Sequence, residues 1–386
     1  MKSFILVFKR SVRQLASRRI YWLTMVVMPL FCMIFLTDLL REGLPIKAPA
    51  AVVDYDRSEL SRRMIQSLNG AQMSRITAVY DNIGDARRAM QRGEIYGFYL
   101  IPENFQSDLL SVRTPTVSYY TNMAYYVPAS LLYKNFTASA LYAKADVLSG
   151  LLTDVGVDAE EIVPLLQPIN IEVRGLSNPW LDYAVYLCNS FVPAIMQLMI
   201  FLTTAFAVCQ EMKRATSPLW LRLAKGSVIR ALSAKLLPQT IGWQIMMLFM
   251  LWWFYGKNGF VMNGSWGWMI LSEMMFVLAC QGFALFVVGV LPNLRLALSV
   301  GALVGVLSFS IGAFSFPYES MYGSIGVFSW LVPVRYNFLI YIDQALNGID
   351  VYYSRIFYVA YIVFMLLPLL VIKRLKRELL NPVYVP

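Results

Sequence analysis

The chain has 386 residues, of which 58% are hydrophobic and only 15% are charged, and its mean hydropathy is +0.56. This composition is typical of a membrane protein. The sequence contains no histidine, which excludes Ser-His and Cys-His nucleophile pairs, histidine zinc sites and the usual general base near neutral pH.

The net charge of +10 is concentrated outside one polar segment. Residues 41–178 hold 13 basic and 15 acidic residues, so the rest of the chain holds 20 and 8. The positive charge therefore lies in the membrane-associated part, as anionic lipid and the bias towards basic cytoplasmic loops require, and no nucleic-acid partner is expected. The four cysteines lie in or next to apolar runs, which predicts no disulfide framework.

Residues 1–19 are predicted to form a cytoplasmic helix that lies at the membrane interface. Four apolar side chains recur at helical spacing: Phe4, Phe8, Val12 and Leu15. Arg10 and Arg13 fall on the opposite side of this helix. An apolar stripe opposite basic residues is typical of an interfacial helix, here one that leads into a first span.

Six segments are apolar and long enough, at about 20 residues, to cross a hydrocarbon core of about 30 Å. They are residues 20–40, 183–208, 236–255, 266–291, 296–316 and 356–372. The sequence therefore predicts an α-helical integral membrane protein with six transmembrane helices, the first over 20–40 and five within 183–372. A cleaved signal peptide at the first segment is disfavoured, because its 18-residue uncharged run is too long.

Basic residues predict which side of the membrane each loop faces. With a cytoplasmic N-terminus, the inner segments carry six, six, one and four Lys or Arg residues in chain order, and the short outer loops carry only Lys257, Arg335 and Arg355. This bias places both termini, including the tail over 373–386, in the cytoplasm of a multi-pass protein of the bacterial inner membrane. Residues 41–178 are then extracytoplasmic.

Residues 41–178 have the composition of a soluble domain and alternate between strand and helix patterns. PAAVVDYD (49–56), SRITAVYD (74–81) and IYGFYLIP (95–102) are typical of strands, with helical patterns between them. TPTVSYYTN (114–122) and INIEVRG (169–175) are further candidate strands, with a long helix expected over 125–151. This alternation predicts an inserted α/β domain with a small, partly parallel sheet.

Asp54 and Asp56 end the first predicted strand, where paired acids raise the question of a metal or catalytic site. Carboxylates before a helix are also favoured as caps and as partners of the helix dipole. No cluster of further metal ligands accompanies them in the sequence, so the structural role is favoured.

A short basic helix is predicted over 218–225, between the second and third spans. A Ser-Pro pair marks its start, and Lys225 followed by glycine marks its end. At 100° per residue, four apolar side chains share one face: Leu219, Trp220, Leu223 and Ala224. A helix of about two turns is marginal in water, so this face is expected to lie on lipid or on another protein.

The segment 317–342 is predicted to form a re-entrant hairpin on the outer side of the membrane. Counting residues 320–342 as a seventh span would place the basic tail outside. It would also run Gly323, Gly326, Pro333 and Arg335 through lipid. A hairpin avoids both conflicts.

Three features together resemble the permease subunits of type-2 ABC exporters: a cytoplasmic turn between spans two and three, an α/β outer domain after span one and an outer hairpin before span six. That family has an acidic residue after span two and a Leu-Leu pattern before span three. Glu211, Leu221 and Leu223 match these positions, and Lys235 begins the exit at 235–238. The last outer loop of the family has Pro-Met and Pro-x-x-Tyr spacings, which are matched by Pro317, Met321, Pro333 and Tyr336.

This resemblance implies a permease half that pairs with a second permease and with two cytoplasmic ATPase subunits. The helix over 218–225 would be the coupling helix, and the residues expected to couple to the ATPase are Glu211, Leu219, Trp220, Leu221, Leu223 and Lys235. ATP and magnesium would bind the partner, because this sequence has no G-x-x-x-x-G-K-[ST] motif, and no cofactor is expected in this chain. An envelope-spanning exporter would add a periplasmic adaptor.

The expected function is ATP-driven outward transport of an amphipathic, drug-like or lipid-like substrate, since the spans are aromatic and the chain has 20 methionines. Six residues are candidates for the substrate path: Glu273, Gln197, Gln281, Met321, Pro333 and Tyr336. The alternative is an ion-coupled secondary transporter, which needs ionisable groups inside the membrane, and Glu273 is the one acid well inside a predicted span. Glutamines also join membrane helices by hydrogen bonds, which is the structural alternative for Gln197 and Gln281.

Overall fold

The computed structural model describes residues 2–41, 47–70, 73–111, 113–125, 127–140, 178 and 182–382. The chain divides into two compact units, Met1–Gly43 with Gly175–Pro386, and Leu44–Arg174. The smaller unit corresponds in sequence to the predicted α/β domain over 41–178. The candidate strand over 169–175 and the second half of the expected helix over 125–151 lie outside the described residues.

The N-terminal part is helical. Helix α1 spans Lys2–Ser17, and α2 spans Arg19–Leu39 with a π-helical stretch at Leu23–Val27. Val7 and Ser11 are buried on α1, whereas Val12 is exposed. Helix α1 packs on another helix of this chain, Val228–Leu251, through a neighbouring face, so the predicted contact of the apolar stripe with the membrane interface stays a prediction.

The smaller unit contains a four-stranded sheet with the order β2-β1-β3-β4. Its strands are β1 (Ala48–Asp54), β2 (Ser74–Tyr80), β3 (Gly97–Ile101) and β4 (Ser118–Thr121). Its helices are α3 (Glu59–Gly70), α4 (Ile83–Gln91), α5 (Phe105–Leu110) and α6 (127–140). Strand β1 is parallel to β2 and β3, and β4 is antiparallel to β3. The four strands lie in segments predicted from the sequence, and the sheet is partly parallel.

Strand β1 is central and has apolar side chains buried on both faces of the sheet. Val52 lies in the cluster that contains Leu68 of α3, and Val53 lies in the cluster that contains Ala86 of α4. A strand covered on both sides reads as a continuous apolar run, which explains the AAVV pattern at 50–53.

Asp54 and Asp56 have structural roles. Oδ1 of Asp54 accepts hydrogen bonds from the backbone amides of Asp56 (3.1 Å) and Arg57 (3.0 Å), and its Oδ2 accepts one from Ser61 Oγ at 2.7 Å. Oδ2 of Asp56 accepts a hydrogen bond from the Gln106 amide at 3.1 Å. Within the described part of the chain, no group of three or more His, Cys, Asp or Glu side chains is arranged to hold a metal ion.

The described residues from 182 onwards are mainly helical. The long helices are α7 (Tyr183–Lys213), α9 (Val228–Leu251), α10 (Trp266–Val290), α11 (Leu294–Ile311) and α14 (Val351–Leu366). The shorter helices are α8 (Ser217–Leu223), α12 (Gly323–Ser329), α13 (Pro333–Tyr341) and α15 (Pro368–Leu380). A π-helical stretch follows α9 at Trp252–Lys257, and another follows α13 at Ile342–Asn347.

Five helices in the described ranges are long and apolar enough to cross a membrane: α2, α7, α10, α11 and the combined stretch Val351–Leu380. The count is six if Gly323–Ser329 and Pro333–Asn347, which are bent by 82°, form one span. This bent pair lies in the predicted outer hairpin and has the geometry of a broken span or a re-entrant loop. The predicted third span over 236–255 lies mostly in the 24-residue helix α9, which polar side chains such as Gln239 and Gln244 make less apolar than the other five. The chain is thus a mainly helical membrane protein with a small sheet.

Two helix crossings are so close that only glycine fits. A Cβ atom at Gly282 of α10 would lie 2.3 Å from the backbone oxygen of Phe364 in α14. A Cβ atom at Gly305 of α11 would lie 2.5 Å from Cδ1 of Leu198 in α7. Small residues at crossings allow membrane helices to pack closely, and these contacts fix the positions of α10 and α11 against their neighbours.

Candidate functional site

A buried ion-pair network surrounds Glu211, near the end of α7. Oε2 of Glu211 lies 2.7 Å from Nη2 of Arg10, and its Oε1 lies 2.8 Å from Nζ of Lys235. Gln14 Nε2 donates to Oε1 at 3.0 Å, and Thr216 Oγ1 donates to Oε2. The side chains of Glu211 and Lys235 are only 4% and 5% exposed. We call these five residues the Glu211 network.

The network joins three separate parts of the larger unit. Arg10 and Gln14 lie on α1, Glu211 lies in the last turn of α7, and Lys235 lies on α9. Lys235 Nζ also donates a hydrogen bond to Gln14 Oε1 at 3.0 Å, which closes the network between α1 and α9. Charge-assisted hydrogen bonds between buried groups are strong and directional, so the network holds α1, α7 and α9 in one arrangement.

The chain between α7 and α8 turns sharply and carries Thr216 back to Glu211. Ala215 has φ of 54°, in the left-handed region, and the Thr216 amide donates to the backbone oxygen of Glu211 at 2.9 Å. Pro218 then lies in the first turn of α8, where its missing amide hydrogen costs no intrahelical bond. Helix α8 ends before Lys225 and Gly226, whose φ values of 56° and 72° match the predicted helix stop.

The predicted exposed apolar face of α8 is wrong for Trp220. Trp220 and Ala224 are fully buried, Leu221 is 1% exposed and Leu223 is partly buried, because α8 packs against α1 and α15 of this chain. Lys235 Nζ lies 5.2 Å from the centroid of the Trp220 ring, so the buried side of α8 contacts the Glu211 network through Trp220. The side of α8 that carries Trp220 therefore packs on other helices of the same chain.

The exposed side of α8 and the residues that follow α8 form a surface of apolar and basic side chains. Leu219 is 59% exposed, and the neighbouring Arg222, Lys225, Ile229 and Arg230 are also exposed. We call these five residues the α8 surface. Two exposed aliphatic side chains among three cations are suited to a partner with an apolar pocket and acidic surroundings.

Three of the six residues predicted for a substrate path make hydrogen bonds between helices: Gln197, Gln281 and Glu273. Gln197 of α7 donates to Ser308 Oγ of α11 and accepts from the Val334 amide of α13, both at 2.8 Å. Thr240 Oγ1 of α9 donates to Gln281 Oε1 of α10 at 2.8 Å. Both glutamines therefore join helices, as the structural alternative predicted.

Glu273 is buried between α10 and α13. Its Oε1 accepts a hydrogen bond from Asn337 Nδ2 at 2.9 Å, and within the described ranges its Oε2 has no hydrogen-bond partner. No ion pair with a described basic residue accompanies this carboxyl group, in contrast to Glu211. Its chemistry is therefore that of an isolated buried carboxyl group held by one amide.

The other three predicted path residues lie in or next to the bent helix pair. Met321 is partly buried, Pro333 is in the first turn of α13, and Tyr336 donates a hydrogen bond to the Trp330 backbone oxygen at 2.8 Å. The guanidinium carbon of Arg335 lies 4.1 Å from the centroid of the Trp330 ring. These contacts order the turn between α12 and α13.

Sequence reasoning missed Arg10, Gln14, Thr216 and Asn337 as partners of the two buried acids. Arg10 was assigned to the polar side of α1, but its guanidinium group pairs with Glu211 of α7. One signal in the sequence could have indicated this contact: Val7, Ser11 and Gln14 are spaced to share one helical face, and Arg10 lies beside that face. A stripe that contains polar residues is not found by apolar periodicity alone.

Comparison with known proteins assigns the sequence to a family. A family model described as ABC-2 family transporter protein matches residues 19–372, which include α2 and α7 to α14. The chain belongs to the ABC-2 transporter family. No curated protein matches it. As an ABC-2 permease it is a multi-pass membrane transport subunit, of a class that works with an ATPase subunit and is generally not itself catalytic. Arg10 and Gln14 lie before the matched range.

Proposed function

We propose that this ABC-2 permease is the membrane subunit of an ATP-driven exporter that moves an amphipathic, drug-like or lipid-like substrate outward. The observation that carries the proposal is the Glu211 network, which ties the base of α8 to α1, α7 and α9. A force that a partner protein applies to α8 is transmitted to the long helices α7 and α9 through these buried ion pairs. Helix α8 is thus suited to act as the coupling helix.

The energy source in this proposal is a separate ATPase that binds ATP and magnesium. The sequence has no G-x-x-x-x-G-K-[ST] motif, and its nearest string, Ala224-Lys225-Gly226-Ser227, has Lys and Gly in the wrong order. Residues 225–226 instead end α8 in left-handed conformations. The ATPase is proposed to contact the α8 surface.

The remaining partners of the proposed assembly are a second permease, the lipid bilayer and, in an envelope-spanning exporter, a periplasmic adaptor. Only 22% of the apolar window of α11 and 17% of that of Val351–Leu380 is buried within the chain. These helices leave wide apolar surfaces for lipid and for a second copy or a related permease. In this proposal the chain lies in the bacterial inner membrane with both termini in the cytoplasm.

The proposed topology predicts opposite accessibility of two exposed arginines. In a cysteine-free background, Arg92→Cys lies in the α/β unit and Arg214→Cys lies next to α8. An impermeant thiol reagent applied to intact cells is expected to modify the first cysteine and to leave the second unmodified until the membrane is opened. Modification of only the second cysteine in intact cells would reverse the topology.

The proposed energy source is tested by the activity of purified components. The chain alone is expected to hydrolyse no ATP, whereas the chain with its ATPase is expected to show ATP-dependent transport of an amphipathic dye in proteoliposomes. Transport by the chain alone that stops when an uncoupler removes the proton gradient would favour the secondary transporter instead. Ion coupling needs ionisable groups inside the membrane, and Glu273→Gln would then abolish that transport.

A further inference from the structure

A small polar cavity lies beside the Glu211 network. It has a volume of about 60 Å³ and is lined by Arg10, Gln14, Arg18, Gln210, Glu211, Arg214 and Thr216. A single water needs about 10–15 Å³ of such space, so the cavity holds more than one water-sized group. It lies where the end of α1 meets the turn between α7 and α8.

The cavity carries more positive charge than the network requires. Three arginines are among its lining residues, Arg10, Arg18 and Arg214, and Glu211 is the one acidic residue among them. Glu211 is already paired with Arg10 and with Lys235. Among the residues that the structure describes, Arg18 and Arg214 have no ion-pair partner, so the site has two uncompensated cations.

The geometry points to a phosphate-binding site: we propose that Arg10, Arg18 and Arg214 hold a phosphate group in this cavity. Arginine presents planar donors that bind phosphate oxygens in pairs, and three of them around one space supply more donors than a carboxylate can accept. Gln210 Oε1, which is buried without a hydrogen-bond partner in the described ranges, is available to accept from a hydroxyl next to the phosphate.

Two sources supply this chemistry: the headgroup of an anionic phospholipid, or free phosphate. Arg18 immediately precedes α2, and Arg214 immediately follows α7, so both lie at the ends of candidate spans. Basic residues at such ends meet the headgroup layer of an anionic leaflet. Phosphatidylglycerol combines the phosphate with hydroxyl groups that Gln210 Oε1 accepts from.

Retention of phosphatidylglycerol by the full-length chain tests the proposal. The purified chain is reconstituted into nanodiscs of phosphatidylcholine and phosphatidylglycerol and released from them. The lipids that stay bound are then counted by native mass spectrometry. Arg18→Gln with Arg214→Gln is the test variant. Arg13→Gln with Lys213→Gln is the matched control, because these exposed residues carry the same two charges close in sequence to Arg18 and Arg214 without lining the cavity.

The test variant is expected to bind phosphatidylglycerol about twenty-fivefold more weakly, since each of the two arginines that line the cavity beside the bound phosphate is worth about fivefold in affinity. The control is expected to stay within about twofold of the parent chain. Arg214→Gln alone, at an exposed residue without an ion-pair partner in the described ranges, should give about a fivefold loss with an unchanged melting temperature.

A second arm distinguishes the two sources. Inorganic phosphate is titrated onto the chain in phosphatidylcholine alone, and the melting temperature is followed. A phosphate-dependent rise that the test variant lacks, without phosphatidylglycerol retention, identifies free phosphate as the ligand. Two results would overturn the site. One is equal lipid retention by the parent chain and both double variants, without a phosphate-dependent rise in melting temperature. The other is an equal loss of lipid in both double variants. The site is independent of ATPase binding, so either result leaves the proposed function to its own tests.

Discussion

Replacing Glu211 with Gln is expected to destabilise the larger unit by about 3–5 kcal/mol, because it removes one partner of a buried ion pair. Lys235 is 5% exposed and would keep its charge without a counter-ion, and Arg10 would lose its 2.7 Å contact. The glutamine side chain has nearly the same shape, so the loss reports charge pairing and not a cavity. Thermal unfolding of the purified chain in detergent measures the effect.

Two controls separate charge pairing from a general effect of removing a carboxylate. Glu319→Gln removes an exposed acid from the segment just before α12 and is expected to change the melting temperature little. Glu211→Gln combined with Lys235→Met removes both buried charges and should recover most of the lost stability. A single Glu211→Gln variant that melts together with Glu319→Gln would show that the network does not stabilise the fold.

The sequence was sufficient to predict those elements whose signal is local. Alternating apolar strands and amphipathic helices predicted the positions of β1 to β4 along the chain, and the uncharged runs predicted the five helices that are long and apolar enough to span. The breaks at 217–218 and 225–226 predicted α8 to within a few residues. Each of these depends on residues within about one turn or one strand of each other.

The sequence was not sufficient where a residue's partner comes from a distant part of the chain. Arg10 and Glu211 are 201 positions apart, and Lys235 reaches Gln14 over 221 positions. Helical periodicity showed that α8 has an apolar face but not that α1 and α15 cover it. The same limit applied to Gln197, which faces Ser308 and Val334 and for which the sequence left two roles open.

The contrast between Trp220 and Leu219 gives the second large prediction. Trp220→Ala removes a fully buried indole from the core of the larger unit, which is expected to cost about 3–5 kcal/mol of stability and to lower the melting temperature. Trp220 also touches Lys235, so this variant should disturb the Glu211 network as well. Any loss of ATPase binding by Trp220→Ala would therefore follow from damage to the fold, and the docking surface has to be tested at Leu219.

Leu219→Glu is expected to abolish co-purification of the ATPase while leaving the melting temperature nearly unchanged. Leu219 is 59% exposed, so a polar replacement costs the isolated chain little. At the centre of an interface, loss of an apolar anchor is worth about 2 kcal/mol, or roughly a thirtyfold weaker association. Leu110→Glu is the matched control, because Leu110 is a similarly exposed leucine on α5, in the unit proposed to face the other side of the membrane. ATPase binding that survives Leu219→Glu at full strength would move the docking surface away from α8, and the coupling role of the Glu211 network would lose its input.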